Sequence, residues 1–109
     1  MTDNNLSSDL LRGHTDTIIL GLLADEDKYG YEITKLIYKQ SGYLYELKEA
    51  TMYSGLKRLE KDGCITSYWG DETQGGRRKY YSITQIGEKL YETNKQNWDF
   101  AKKVLDKLI

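Results

Sequence analysis

The side chains best placed to do chemistry gather in one short run, Gln74-Gly75-Gly76-Arg77-Arg78-Lys79. The glycines let backbone approach a phosphate closely, and three cations follow at once. No nucleophile–base pairing accompanies them, and the run lacks the lysine–hydroxyl ending of a phosphate-binding P-loop. No enzyme and no cofactor are expected. If Arg77 to Lys79 lie on a strand, alternation puts Arg77 and Lys79 on one side and Arg78 on the other. Either Arg77 with Lys79, or Arg78 alone, would then dominate contact with a nucleic acid. In the bland alternative Arg78 or Lys79 pairs with Asp71 or Glu72 across a hairpin, a weak exposed contact.

A second cluster lies upstream. Met52, Leu56 and Leu59 fall at i, i+4 and i+7, one buried stripe of a helix, which turns Thr51, Tyr53, Ser54 and Lys57 toward other faces. Tyrosine and serine can bond phosphates or base edges, and lysine supplies phosphate contact and some guanine readout. Arg58 either joins them or pairs with Glu60 or Asp62 as an ordinary solvated charge. The remaining conspicuous residues read as structural. His14 is the single histidine and has no carboxylate or cysteine companions, so a structural or surface place is expected. Cys64 reads as buried packing, and Asp25-Glu26-Asp27 as a solvated turn without the further ligands that calcium needs. No metal site is expected.

These residues must be held by a definite order of elements. The chain has no proline, so glycines and polar turns punctuate it. Spacing predicts a helix over 9–24 capped by Ser8, with Leu11, Ile18, Ile19, Leu22 and Leu23 apolar. A second helix fits 30–41, with Ile33, Leu36 and Ile37 on one face and Gly42 as its stop. A third fits 49–62, stopped by Gly63, with Lys48 a poor N-cap. The period then changes to alternation. Cys64 to Trp69 and Arg78 to Ile83 read as strands of a β-hairpin whose long tip is 70–76. Thr84 is a good N-cap for a last helix over 85–108.

The fold class is therefore mainly α with a small β-hairpin: a winged helix–turn–helix over 1–84, followed by a C-terminal dimerisation helix over 85–109. In that architecture the third helix enters the major groove, and the hairpin tip approaches the adjacent groove or backbone. The expected partner is double-stranded DNA.

Composition permits this reading without demanding it. The 109 residues carry a formal net charge of −1. Residues 1–48 hold five basic and eight acidic side chains, whereas 49–84 hold six basic and five acidic, including three of the four arginines. A local basic surface on a near-neutral protein is thus available. No apolar run approaches the ~20 residues that span a bilayer, so no membrane association is expected. The start of the chain lacks the basic and apolar regions of a leader. A single cysteine excludes an internal disulfide, in keeping with a reducing, cytoplasmic setting.

The last helix asks for a partner of its own. Tyr91, Trp98 and Leu105 repeat every seven residues, with Asn94, Ala101 and Leu108 as a companion row, like an a/d seam. A helix of this length runs ~36 Å, longer than so small a domain covers. A homodimer interface built from Tyr91, Trp98, Ala101, Leu105 and Leu108 is expected. The alternative is that the stripe folds back on the first helix alone.

The segments Glu49 to Gly63, Ser67 to Glu72 and Gln74 to Thr84, with the Gly30-Tyr31-Glu32-Ile33 opening of the second helix, resemble the core of the PadR family of bacterial winged-helix regulators. The resemblance covers nearly the whole chain. It implies a dimer held by the C-terminal helix, usually repressing transcription. The single long C-terminal helix is similar to the compact branch, which includes multidrug-responsive repressors. In those members a tryptophan on this helix sandwiches flat aromatic compounds against its dimer mate. Trp98 stands at the matching position, and Tyr91 and Ala101 with Thr17 and Gly21 would line the same space. Lys95 and Lys102 depart from the pattern, since apolar or acidic residues there would favour cationic compounds. Simple packing of Trp98 without ligand stays open, as do an effector-independent DNA-binding regulator and a winged-helix protein-interaction module.

Overall fold

The computed structural model describes residues 8–70 and 76–109, with side chains from Leu10 onward in the first segment. The elements run α1 (Ser8–Leu11), a 3₁₀ turn (Arg12–His14), α2 (Thr15–Asp25), β1 (Lys28–Tyr29), α3 (Gly30–Gln40), α4 (Glu49–Lys61), β2 (Ile65–Trp69), β3 (Lys79–Ile83) and α5 (Gln85–Leu108). Helix predominates, with a small antiparallel sheet in the order β1-β3-β2.

Two expected boundaries change. The helix over 9–24 is interrupted at Arg12–His14, and Ser8 is the first residue of α1 rather than a cap outside it. Gly13 weakens the helix at that point. Buried Thr15 then turns its hydroxyl back to donate to the Arg12 carbonyl at 3.4 Å, which tightens the turn. The hairpin also gains a third strand. Lys28 pairs with Tyr81 and Tyr29 with Tyr80. Two residues are too short a run to show a period, so only their pairing partner makes them a strand.

The glycine stops behave as their chemistry requires. Gly42 and Gly63 have φ of 72° and 78°. After each, two amides close back on the helix: Gly42 N–H to Lys39 O and Tyr43 N–H to Tyr38 O, then Gly63 N–H to Glu60 O and Cys64 N–H to Leu59 O. Both are the double closure that a left-handed residue after a helix permits.

One core joins these elements. Ile19, Leu20 and Leu23 of α2 meet Ile33 and Ile37 of α3, Met52, Leu56 and Leu59 of α4, Ile65 of β2 and Tyr81 of β3. The turn at Asp25 to Asp27 is tied to the sheet rather than merely solvated. Buried Lys28 donates to the Glu26 carbonyl at 3.2 Å, and the Tyr68 hydroxyl donates to Asp27 at 2.6 Å.

Helix α5 is anchored at its start and free at its end. The Thr84 hydroxyl accepts from Gly87 N–H at 3.1 Å and donates to the Gly63 carbonyl at 2.7 Å. Tyr91 lies against Gly21, and Asn94 donates to the Thr17 hydroxyl at 2.9 Å. Beyond Trp98 the helix leaves the domain, and Phe100, Val104, Leu105, Leu108 and Ile109 are exposed.

Candidate nucleic-acid interface

The buried stripe of α4 turns Thr51, Tyr53, Ser54 and Lys57 outward, and all four are exposed. They do not form one row. Thr51 and Ser54 line a hollow of about 350 Å³ with Arg12, Thr15, Ala50 and Arg58. Tyr53 lies against α3, where a Cβ on Gly30 would come within 2.7 Å of its ring. That glycine lets the phenol sit on the first residue of α3, so Tyr53 is half-exposed rather than free.

In the wing, Gly76 has φ of 86° and Arg77, Arg78 and Lys79 are exposed. Each cation rests over an aromatic ring: Arg77 over Trp69 at 5.3 Å, Arg78 over Tyr29 at 5.0 Å and Lys79 over Tyr81 at 6.0 Å. Such contacts hold long side chains in place while leaving their charge available. Register separates them as alternation requires. Trp69 pairs with Lys79, placing Arg77's partner on the Tyr81 side of the sheet. Arg78 lies on the other side, where Tyr80 stacks on Tyr68 and meets Tyr29 edge-on. Gln74 and Gly75, and the pairing alternative through Asp71 or Glu72, fall outside the described residues.

Tyr81 belongs to the core beneath this surface. Burial raises its phenol pKa most, with smaller contributions from the neighbouring Tyr53 phenol and Glu60. Ser67, which pairs with Tyr81, donates to Glu60 of α4, so the side of the wing carrying Arg77 and Lys79 is the side that meets α4.

Arg58 takes neither expected course. Its guanidinium grips Asp16 of α2 with both ends of its fork, Nε donating at 3.3 Å and Nη2 donating to the other oxygen. The partner lies 42 positions away, and no local pattern could have named it. Glu60 is engaged elsewhere, accepting from the Ser67 hydroxyl at 2.6 Å.

Around Trp98 the chain supplies its own neighbours. His14, expected to be an isolated structural or surface residue, meets the indole edge-on at 4.7 Å. Tyr91, Thr17 and Gly21 are drawn together by the packing of α5 on α2, and Ala101 lies one turn beyond Trp98. Lys95 sits over Tyr91 and Lys102 over Trp98. Phe100 and Val104, which fall off the heptad rows, are exposed on the same helix. Cys64 is buried, and that burial pushes its thiol pKa up, away from reactivity.

Among the described residues no cluster of three or more His, Cys, Asp or Glu could hold a metal ion. No described helix is long and apolar enough to cross a membrane.

Three packed helices, a three-stranded wing and an outward-facing helix before it define a winged helix–turn–helix protein. Residues 19–93 match the model of the transcriptional regulator PadR-like family. The chain is similar to a transcriptional regulator from Clostridium thermocellum, at 50% identity over 95% of this chain and 98% of that one, with a TM-score of 0.88. A PadR family transcription regulator from Clostridium difficile matches at 44% identity over 88% and 98%, with a TM-score of 0.78. The Bacillus subtilis negative transcriptional regulator PadR is 31% identical over 64% of this chain, a match spanning 38% of that protein. The chain belongs to the PadR-like family of transcriptional regulators, which are DNA-binding proteins and not enzymes.

Proposed function

We propose that this chain is a dimeric repressor that reads double-stranded DNA with residues 1–84 and pairs through the helix of 85–109. The observation that carries the reading is the attachment of the cationic side of the wing to a helix whose polar side chains face outward. Thr51, Tyr53, Ser54 and Lys57 are exposed on α4, and the side of the wing on which Arg77 and Lys79 rest meets that helix where Ser67 donates to Glu60. In this reading α4 supplies base readout, Arg77 and Lys79 supply phosphate contact, and Arg78 contributes less. Gln74, Gly75 and Gly76 are the remaining residues assigned to contact with the DNA backbone, on the strength of their sequence.

The repressing sense follows the relative named as a negative regulator. Dimerisation is favoured by the exposed apolar end of α5. Trp98, Leu105 and Leu108, joined by Phe100 and Val104, would find in a second copy the cover that this chain does not give them. Such a regulator acts in the cytoplasm, where bacterial DNA lies.

Release by planar aromatic compounds at Trp98, with Tyr91, Ala101, Thr17 and Gly21, is the finer part of the proposal. It is supported by the half-exposed indole at the edge of the α2–α5 contact. An effector-independent regulator is the second reading, favoured by the way His14, Gly21 and Thr17 already occupy Trp98, Tyr91 and Asn94. An electrophoretic shift with the chain's own promoter at low salt tests DNA binding, and no shift leaves the protein-interaction module. Quenching of tryptophan emission by flat aromatics that is lost in Trp98→Ala supports the effector-released repressor, and quenching that persists equally in that variant removes the pocket.

A further inference from the structure

The N-terminal turn of α2 touches both the helix assigned to DNA and the helix assigned to pairing. Its carboxylate, Asp16, holds Arg58 of α4. Immediately beside it, Thr17 accepts from Asn94 of α5, and two residues before it His14 meets Trp98 of α5. Thr17 shares the first turn of α2 with Asp16, and His14 lies just before it in the 3₁₀ turn, so a shift of α5 passed through Thr17 also carries the Asp16 carboxylate.

The contact between α2 and α4 is otherwise smooth where the pair lies. Gly55 faces Ile19, and a Cβ there would be 3.2 Å from its Cδ1 and 3.7 Å from both Arg58 Nη2 and Asp16 Oδ1. With no side chain at residue 55 to interlock, the two-pronged ion pair is the directional contact at this crossing. Arg58 also lies one turn after Ser54 and two after Thr51, in the same hollow.

We propose that Asp16 and Arg58 are positioning residues that set the rotation of α4 on α2 and so couple Trp98 to the DNA-facing side chains of α4. The assignment rests on the DNA-binding reading above. It predicts effects on discrimination between sequences rather than on general attraction to DNA, because neither residue is spent on phosphate.

The test uses the full chain with Trp69→Phe as the common background, leaving Trp98 as the single tryptophan, and a duplex that the chain itself selects from random sequence. Asp16→Asn and Arg58→Gln should each weaken selected-duplex binding by about three- to tenfold, with unselected DNA bound as before. The double variant should be no weaker than either single, as for one shared contact. The change in Trp98 emission on adding the duplex should be lost in all three. A merely structural ion pair would lower thermal stability yet leave that response and the selected-to-unselected ratio intact, and either result overturns the proposal. If no duplex is selected, the DNA-binding reading fails; if one is selected and Asp16→Asn keeps its affinity and response, only the coupling fails.

Discussion

Replacing Gly87 with alanine sets two physical expectations against each other. Gly87 lies in the first turn of a 24-residue helix, where alanine is favoured by up to ~1 kcal/mol on helix propensity alone. The tertiary structure demands the reverse. A Cβ at residue 87 would fall inside contact distance of the Cys64 carbonyl oxygen, 2.8 Å from Ile83 Cγ1 and 3.0 Å from the Cys64 carbonyl carbon. Ordinary contact lies at 3.4–4 Å, so the helix start must retreat by several tenths of an ångström or more. The obstacle is backbone rather than a side chain that could rotate away. That same carbonyl accepts from Thr84 N–H at 3.0 Å, so retreat also strains the cap of α5. Overpacking of this kind costs about 1–3 kcal/mol, and a strained cap adds to it. Gly87→Ala should therefore be less stable by about 2 kcal/mol in urea unfolding at fixed protein concentration. In a chain this small that corresponds to a fall in Tm on the order of 8–15 °C. A variant as stable as the parent, or more stable, would refute the claim that close approach and not helix propensity governs this position.

Thr84→Ala should cost about 1–2 kcal/mol, since the hydroxyl serves both Gly87 N–H and the Gly63 carbonyl; Thr84→Ser should recover most of it in the same unfolding assay. Arg77→Ala should weaken binding to all duplexes and reduce the salt slope by about one, whereas Arg78→Ala, on the Tyr29 side of the sheet, should change it less; the opposite order in a salt titration would reverse the assignment of faces. Leu108→Asp should shift sedimentation toward monomer if the exposed end of α5 is the pairing surface, and an unchanged sedimentation coefficient would remove it. Burial holds the phenol of Tyr45 above the ordinary tyrosine value, as it does for Tyr81. The folded state then keeps a proton that the unfolded chain releases, so this contribution is intact below about pH 10 and is lost as pH rises through the higher folded value. Unfolding followed upward from pH 9 should show that decline, and Tyr45→Phe should make it shallower.

Much of this molecule could be read before it was folded, because local chemistry and tertiary packing agree. Met52, Leu56 and Leu59 are each almost wholly buried, and Gly42, Gly63 and Thr84 end or begin helices where their residue types require. Alternation likewise divided Arg77 and Lys79 from Arg78. Prediction and structure part both at local details and at partners distant in sequence. The break at Arg12–His14 sits in a segment whose apolar spacing reads as continuous helix. On α5, Tyr91 and Asn94 of the heptad rows face α2, while Phe100 and Val104, off those rows, are exposed.

By itself the sequence determined the order of the main helices and the hairpin, the buried stripe of α4 and the residues left outward on α4 and the wing. Those features depend on spacing within a few residues, which period and capping chemistry report directly. Only the tertiary structure decided that Arg58 holds Asp16, that His14 meets Trp98, that Lys28 and Tyr29 form a strand, and that Gly87 admits no side chain. The first three depend on partners 42 or more positions away, and the last on the Cys64 carbonyl that packing brings against the start of α5; no local pattern encodes such a meeting.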